Sequence, residues 1–506
     1  MTPDGAPARP DAGEVRAAQR LHPMSWLFVL VQQLRQFILP LLALVVFGQG
    51  SRDELWPLVG VAVLVVASVW QYATYRYGIG SDRLVVRSGV LQRSLRVIPF
   101  ARIHNVTVQQ NALHRIFDVA EVRLESAGGM RPEAQMRVLR LRDALDLDAL
   151  VRHRGPAPDE AGAQHAAPAG EVLLQLPPGE LLRLGLVSNR GMIVVGAAVA
   201  GLSQFQPRLL SRLSEPMVES MSGYAKANTF GTLDYALAAL ALFALAVAAL
   251  RLLSIALAVL QYHGFTLRLD GRRLSVQRGL LSRVRTSAPR RRIQAWTLRE
   301  GVLHRLLRRR SLDVDVAGGG MGGDGQQQAR PLKELAPIAT PDACDALVQR
   351  LLPQAGWPAL DWQGVATRNA WRLFVPSLAW NLAIAAALAM RFDGWALLVL
   401  LWLPWSAYAA WRHVGHLGWA CNAHVLAVRD GWWSRSWRMA EIDKLHVLHL
   451  REGPVDRLFG TATLFADTTG GSAMGSGVRL RWLPAAQARA LRDDLVERLS
   501  RSAIPA

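Results

Sequence analysis

The chain has 506 residues, 51% of them hydrophobic and 19% charged. With a positive mean hydropathy, this excludes a disordered polar chain and points to membrane segments joined to polar domains. The net charge of +19 is nearly all arginine, since the lysines are Lys226, Lys333 and Lys444 alone. Cys344 and Cys421 fall in no CxxC pair or histidine cluster, which argues against a disulfide scaffold and a structural zinc site.

Residues 1–23 are polar and of mixed charge and read as a disordered cytoplasmic tail. The apolar stretch after Met24 is interrupted by Gln32, Gln33 and Arg35, with no cleavage site behind it, so it is not a secretory signal. Six apolar segments follow in three pairs, at about 36–49 and 55–75, 184–204 and 233–260, and 373–390 and 395–412. A spanning helix needs about 20 apolar residues. The shorter or interrupted segments carry Arg35 or Arg190 near their starts, where a long basic side chain reaches the headgroups. The turns within the pairs hold few basic residues (Arg52; Arg208, Arg212 and Lys226; Arg391), whereas the stretches between pairs hold runs such as Arg290–Arg292 and Arg308–Arg310. That asymmetry predicts both termini and all inter-hairpin segments on the cytoplasmic side of the membrane, and no nucleic-acid partner is expected.

Each pair precedes a copy of one unit. Tyr72/Tyr262, Gly89/Gly279, Ile103/Ile293, His114/His304 and Gly128/Gly318 all differ by 190; Gly89/Gly431, Ile103/Leu445, Arg115/Arg457 and Gly128/Gly470 all differ by 342. A fixed register over roughly sixty residues marks an internal repeat. Within the first copy, Arg83–Arg87 alternates and is stopped by Ser88-Gly89, and Leu95–Ile98, Val106–Gln109, Val119–Leu124 and Met136–Leu141 follow as short strands. Each copy then closes with an amphipathic helix. In the second, Thr340 is the N-cap and Pro341 the first residue; in the third, Leu491, Leu495 and Leu499 form the apolar stripe. Short strands closed by one helix predict a small β-barrel or split sandwich.

Several runs resemble the bacterial pleckstrin-homology-like (PH-like) membrane protein family, in its YdbT-like form with three tandem domains. They are His22-Pro23 to Leu34-Arg35-Gln36, Asp82–Gly89, Pro99–Val106, His114–Val122 and the Ala127-Gly128-Gly129 turn. The family's Q-R-x-F-G pattern keeps its glycine only at Gly460; Asp118 and Arg308 stand in the other copies, leaving the turn geometry there open. The resemblance implies an α+β membrane protein in which each of three transmembrane hairpins, six helices in all, is followed by a PH-like barrel or split sandwich plus helix. It also implies a link, in some relatives, to envelope stress or antimicrobial-peptide resistance. The expected boundaries are a tail 1–23, hairpins 24–76, 181–262 and 371–413, PH-like domains 77–154, 263–353 and 414–503, and linkers 155–180 and 354–370.

No phosphate loop, nucleophile elbow or metal-ligand cluster stands out, so a non-enzymatic protein without cofactor or metal is expected. Two surfaces are candidate sites. One is basic, an anionic-lipid patch on the early strands formed by Arg83, Arg87, Arg93 and Arg96 in the first unit and Arg272, Arg273, Arg283 and Arg285 in the second. The other is aromatic: Trp432-Trp433 stands where the other units carry Val90-Leu91 and Leu280-Leu281, and is expected to touch the bilayer or a partner. The expected partners are the membrane and a smaller PH-like membrane protein, in a binding or scaffolding role at the inner leaflet. The alternative is an accessory subunit of a transporter or export system.

Overall fold

The computed structural model describes residues 19–20, 63, 65, 66, 69, 70, 74–80, 83–88, 94–100, 103–126, 134–154, 170–205, 231–317, 332–392, 398–468 and 477–503. The predicted hairpin 24–76 lies largely outside them, as does Arg93.

The first unit comprises β1 (Gln19–Arg20), β2 (Arg76–Ile79), β3 (Arg83–Ser88), β4 (Ser94–Pro99), β5 (Ile103–Gln110), α1 (Ala112–Ile116), β6 (Val119–Ser126), β7 (Ala134–Arg140) and α2 (Leu141–Arg154). The second begins with β8 (Glu171–Gln175), α3 (Pro178–Val187), α4 (Arg190–Phe205) and α5 (Thr232–Tyr262). It continues with β9 (Thr266–Asp270), β10 (Arg273–Arg278), β11 (Arg283–Pro289), β12 (Ile293–Glu300), α6 (Val302–Leu306), β13 (Arg310–Val316), β14 (Glu334–Ala339) and α7 (Pro341–Leu351). The third has β15 (Gln363–Gly364), α8 (Trp371–Phe392), α9 (Trp402–His416), β16 (Gly418–Cys421), β17 (Val425–Asp430) and β18 (Arg435–Glu441). It ends with β19 (Leu445–Arg451), α10 (Pro454–Leu458), β20 (Thr461–Thr468), β21 (Val478–Pro484) and α11 (Ala485–Ala503).

Every unit is a split sandwich of a four-stranded and a three-stranded half. The closed-barrel alternative does not form, because the halves pair across unit boundaries. The sheets run β1-β2-β3-β4, then β7-β6-β5-β11-β10-β9-β8, then β14-β13-β12-β18-β17-β16-β15, and finally β19-β20-β21. The three-stranded half of one unit is thus hydrogen-bonded to the four-stranded half of the next. Side-chain alternation lets such a shared strand serve two cores. On β17, Val425 and Ala427 pack into the core of the second unit while Leu426 packs into that of the third; on β12, Trp296 and Leu298 face one way and Ala295 the other. The closing helices fill the open side of each sandwich through Leu147 and Val151, Leu347 and Leu351, and Leu491 and Leu495. The Thr340 side chain caps α7 by accepting from the Ala343 amide, as its sequence predicts.

Three boundaries differ from expectation. The intervals read as tail (1–23) and linkers (155–180 and 354–370) carry β1, β8 and β15, each paired with the strand that follows the membrane hairpin, as in Val172↔Arg268 and Gln363↔Trp419. Pairing satisfies their backbone groups and closes the base of each hairpin. The segment expected at 184–204 breaks at Ser188, whose extended backbone ends α3. Helix α3 is amphipathic and buries Leu181 and Leu184 in the second unit's core, and α4 departs from it at 51°. Arg251 donates to the carbonyls of Leu186 and Ser188 at this break, at 2.9 and 3.2 Å, capping the orphan end of α3.

Among the described residues, Leu233–Tyr262 and Thr367–Met390 are long and apolar enough to cross a membrane, and the bent α3–α4 pair is a third candidate. From Leu233 to Ala249, α5 exposes apolar side chains all round, whereas from Arg251 onward it packs against the second unit. An all-round apolar surface is stable only in lipid.

Candidate membrane-facing site

Gly279 and Gly431 have φ of 114° and 85°, and a Cβ on either would lie 1.9 Å from the carbonyl oxygen of Ser282 or Ser434. Only glycine fits this turn, which projects Leu280-Leu281 and Trp432-Trp433. In the second unit the tip is stitched to the end of α5: the Gly279 amide donates to the His263 carbonyl and the Leu280 amide to that of Leu260, both at 2.9 Å. In the third, Trp432 lies 6.0 Å from Trp405 and 5.6 Å from Tyr408 on α9, Trp433 lies 6.3 Å from Trp405, and the Arg412 guanidinium sits 5.7 Å from the Trp432 ring. The predicted contact residues therefore meet the chain's own membrane hairpin, with Trp433 still 56% exposed.

The short helices α1 and α6 lie beside these tips, and α10, their counterpart in the third unit, lies against the start of α8. Each is followed by a residue in the left-handed region, Asp118 (φ 48°), Arg308 (φ 50°) and Gly460 (φ 61°). The turn left open by the missing glycines is the same in all three copies. At their apices Ile116, Leu306 and Leu458 are 73, 78 and 79% exposed. Arg115 donates to the Leu280 carbonyl at 3.0 Å and Arg305 to the Trp433 carbonyl at 2.9 Å, so α1 and α6 each clasp the tip of the following unit.

Two further arginines tie the short helices to the membrane hairpins. Arg309 makes a forked pair with Glu180 on α3, at 2.8 and 2.7 Å. Arg372, at the start of α8, pairs with Asp456 at 2.5 Å and donates to Thr461 at 2.7 Å, with the rings of Trp371, Phe459 and Trp482 within 6 Å. Burial pushes the Asp456 carboxyl up, but Arg372 and the Gly453 amide outweigh it and hold it below its ordinary value.

A cavity of about 270 Å³ opens between the second unit, the base of its hairpin and the third unit, lined by Arg190, Tyr262, His304, Asp313, Glu334 and Ser434 among others. Burial acts upward on Glu334, but Arg278 at 2.5 Å, the Tyr262 hydroxyl and Arg190 at 3.5 Å hold it low. Burial pushes Asp313 up to about 6, against the pull of Arg299 at 3.6 Å, and pushes His304 down.

The predicted basic patch is split. Arg283 begins β11 at the tip end, with Arg285 two residues on, whereas Arg272 and Arg273 sit at the opposite end of β10 beside Arg290–Arg292, where the Arg290 amide donates to the Arg272 carbonyl at 2.9 Å. Six strand residues separate the ends, roughly 20 Å. In the first unit Arg83 lies at the far end, Arg87 at the tip end and Arg96 midway along β4. His413 pairs with Asp430 at 3.0 Å and His416 with its own helix, and Cys344 is buried with its thiol pushed up to about 12 by burial. Sequence reading missed the clasp and anchor arginines. The signal available was recurrence, since positions 115, 305 and 457 are all arginine.

Repeated split sandwiches hung on apolar hairpins define a membrane protein built from PH-like units. The family described as Bacterial PH domain matches residues 27–155, 225–341 and 373–499, and the chain belongs to it. It is similar to the UPF0699 transmembrane protein YdbT of Bacillus subtilis (strain 168), 21% identical over 431 residues that cover 81% of this chain and 84% of the relative. No solved structure matches.

Proposed function

We infer that this is a non-enzymatic six-span protein of the bacterial inner membrane that holds three PH-like units in a row against the cytoplasmic leaflet, as a binding scaffold. The observation that carries the reading is the apolar rim: Ile116, Leu306 and Leu458 at the short helices and Leu281 and Trp433 at the tips are all exposed, the tips lie against α5 at Leu260 and α9 at Trp405, and α10 is tied to the start of α8 through Arg372. In water such a rim is unfavourable; at a headgroup boundary it is stabilising. The tip-end arginines Arg87, Arg283 and Arg285 are placed to meet anionic headgroups, each contributing about 1 kcal/mol near the surface. Arg272 and Arg273 face away from the leaflet in this reading. Topology tests it. A membrane-impermeant thiol reagent applied outside should label Gly231→Cys, at the outer end of α5, and leave Ser500→Cys, on the last helix, unlabelled until the membrane is opened. Labelling of Ser500→Cys from outside sinks the reading.

A further inference from the structure

The units are joined by one junction made twice. At the first, β11 pairs with β5 as Arg283↔Gln110, Val284↔Gln109, Arg285↔Val108, Thr286↔Thr107 and Ser287↔Val106. At the second, β18 pairs with β12 from Glu300↔Arg435 through Leu298↔Trp437 to Ala295↔Ala440. Shifting unit two back by 190 and unit three by 342 turns both Arg283↔Gln110 and Arg435↔Glu300 into position 93 opposite position 110. The register is identical, so the junction is a property of the repeat and not of one boundary.

Each junction needs a fourth strand of one unit and a fifth strand of the preceding one. The chain ends hold one of each: β4 ends the first sheet and β19 ends the last, among the described residues. Where the junction is made, these strands are covered; Thr286, Ser287 and Ala288 on β11 and the first six residues of β12 are buried. Where it is open, apolar side chains meet solvent, with Leu95 66%, Val97 50% and Val447 55% exposed. A long apolar edge is a template for strand addition. The clasp is open as well. Arg457 is the counterpart of Arg115 and Arg305, yet it is exposed and its side chain has no hydrogen-bond acceptor among the described residues.

We propose that β19 of one copy of this chain pairs antiparallel with β4 of a second copy, continuing the row of units head to tail. The repeat fixes the register. Adding 342 to the fifth-strand position places Leu450 opposite Leu95 and Leu448 opposite Val97. The occupant is a second copy because the chain itself carries both complementary edges in the register of its own internal junctions. The interface is heterologous, so the assembly grows to a ring or a row and does not stop at a two-fold dimer. The proposal stands apart from the membrane reading, since it rests on the two sheet edges and the clasp arginine.

The test is thiol crosslinking of the full chain in native membranes. Leu95→Cys and Leu450→Cys are placed on separately tagged copies and co-expressed, and oxidised briefly. A two-tag crosslinked product is expected, at least tenfold above that of the parent chain with its two native cysteines. Val97→Cys with Leu448→Cys should crosslink as well, and Leu95→Cys with Val447→Cys, which presents the opposite strand face, should not. Arg457→Ala should lower the yield several-fold. Leu95 and Val97 are exposed, and Leu448 and Leu450 are half-buried at the margin of the third core, where cysteine keeps a small apolar side chain. No product above the parent level overturns the proposal. So does a crosslink formed only when both cysteines lie in one chain, which would mean closure within a single molecule, and so does capture of a smaller protein at β19 in place of a second copy.

Discussion

Arg372 offers the sharpest energetic prediction. Its side chain is 7% exposed and that of its partner Asp456 17%, and the two are 2.5 Å apart. Asp456 also accepts from the Gly453 amide at 3.0 Å and the Thr461 hydroxyl at 3.0 Å, so it stays in place when the guanidinium is removed. Breaking a buried pair by deleting one partner destabilises by about 3–5 kcal/mol, mostly because the remaining charge is left uncompensated. Arg372→Met should therefore loosen the third unit by roughly that amount at neutral pH. Cys421 is a partly buried thiol on β16 of the same unit and serves as the reporter. Its labelling in the detergent-solubilised chain should accelerate by roughly two to nearly four orders of magnitude, at 1.36 kcal/mol per decade. Asp456→Asn added to the variant should recover much of the loss. Because the folded Asp456 carboxyl lies below its ordinary value, the pair's contribution is present above about pH 4 and is lost as pH falls through the folded value. A loss under 1 kcal/mol, or single changes that simply add, would refute the view that this anchor joins membrane helix to unit.

The strained turns predict opposite signs for one exchange: Arg308→Gly should raise thermal stability by up to about 1 kcal/mol, and Gly460→Ala should lower it by about as much, because only the non-glycine residues pay for a left-handed backbone. Asp313 is raised to about 6, so the folded state holds its proton longer than the unfolded one. Stability from this group should fall by about 3 kcal/mol between pH 4 and 6 and then level off; Asp313→Asn should abolish that slope in thermal melts, leaving the opposite trend of His304, whose lowered value removes stability as pH drops below about 6.5. Arg283→Gln with Arg285→Gln should reduce the preference of the purified chain for anionic over zwitterionic lipid by about 2 kcal/mol, and Arg272→Gln with Arg273→Gln should leave it nearly unchanged; equal losses would mean diffuse charge.

What the sequence made legible was mostly local or repetitive, although the short strands β1, β8 and β15 and the break at Ser188 escaped it. The 190 and 342 offsets set the units, the alternation of Arg83–Arg87 set a strand, and Thr340-Pro341 set a helix start. The pairing between units was not legible, because antiparallel partners such as Val284 and Gln109 are far apart in the chain and neither residue type names its partner. A trace was present in the apolar density of β12 and β17, which carry Ala-Trp and Leu-Ala where a half-exposed strand would alternate with polar residues. The basic patch failed as a single surface for a related reason. Arg272 and Arg283 are neighbours in sequence across a hairpin, but they occupy opposite ends of it. The tryptophan pair was found by its misfit to a strand core, while its aromatic neighbours Trp405 and Tyr408 on α9 came from a separate segment of the chain.

Depth-dependent quenching reads directly whether the short-helix end of every unit lies on the bilayer. An environment-sensitive fluorophore is attached at Ile116→Cys, Leu306→Cys or Leu458→Cys, with Arg291→Cys at the far end of the second unit as the reference, and the full chain is reconstituted in vesicles carrying headgroup- or acyl-chain-level quenchers. Blue-shifted emission and strong quenching are expected at all three apices, deepest with shallow acyl-chain quenchers, with water-like emission and no quenching at Arg291. Water-like emission at the apices, or quenching at Arg291 equal to theirs, would contradict that placement.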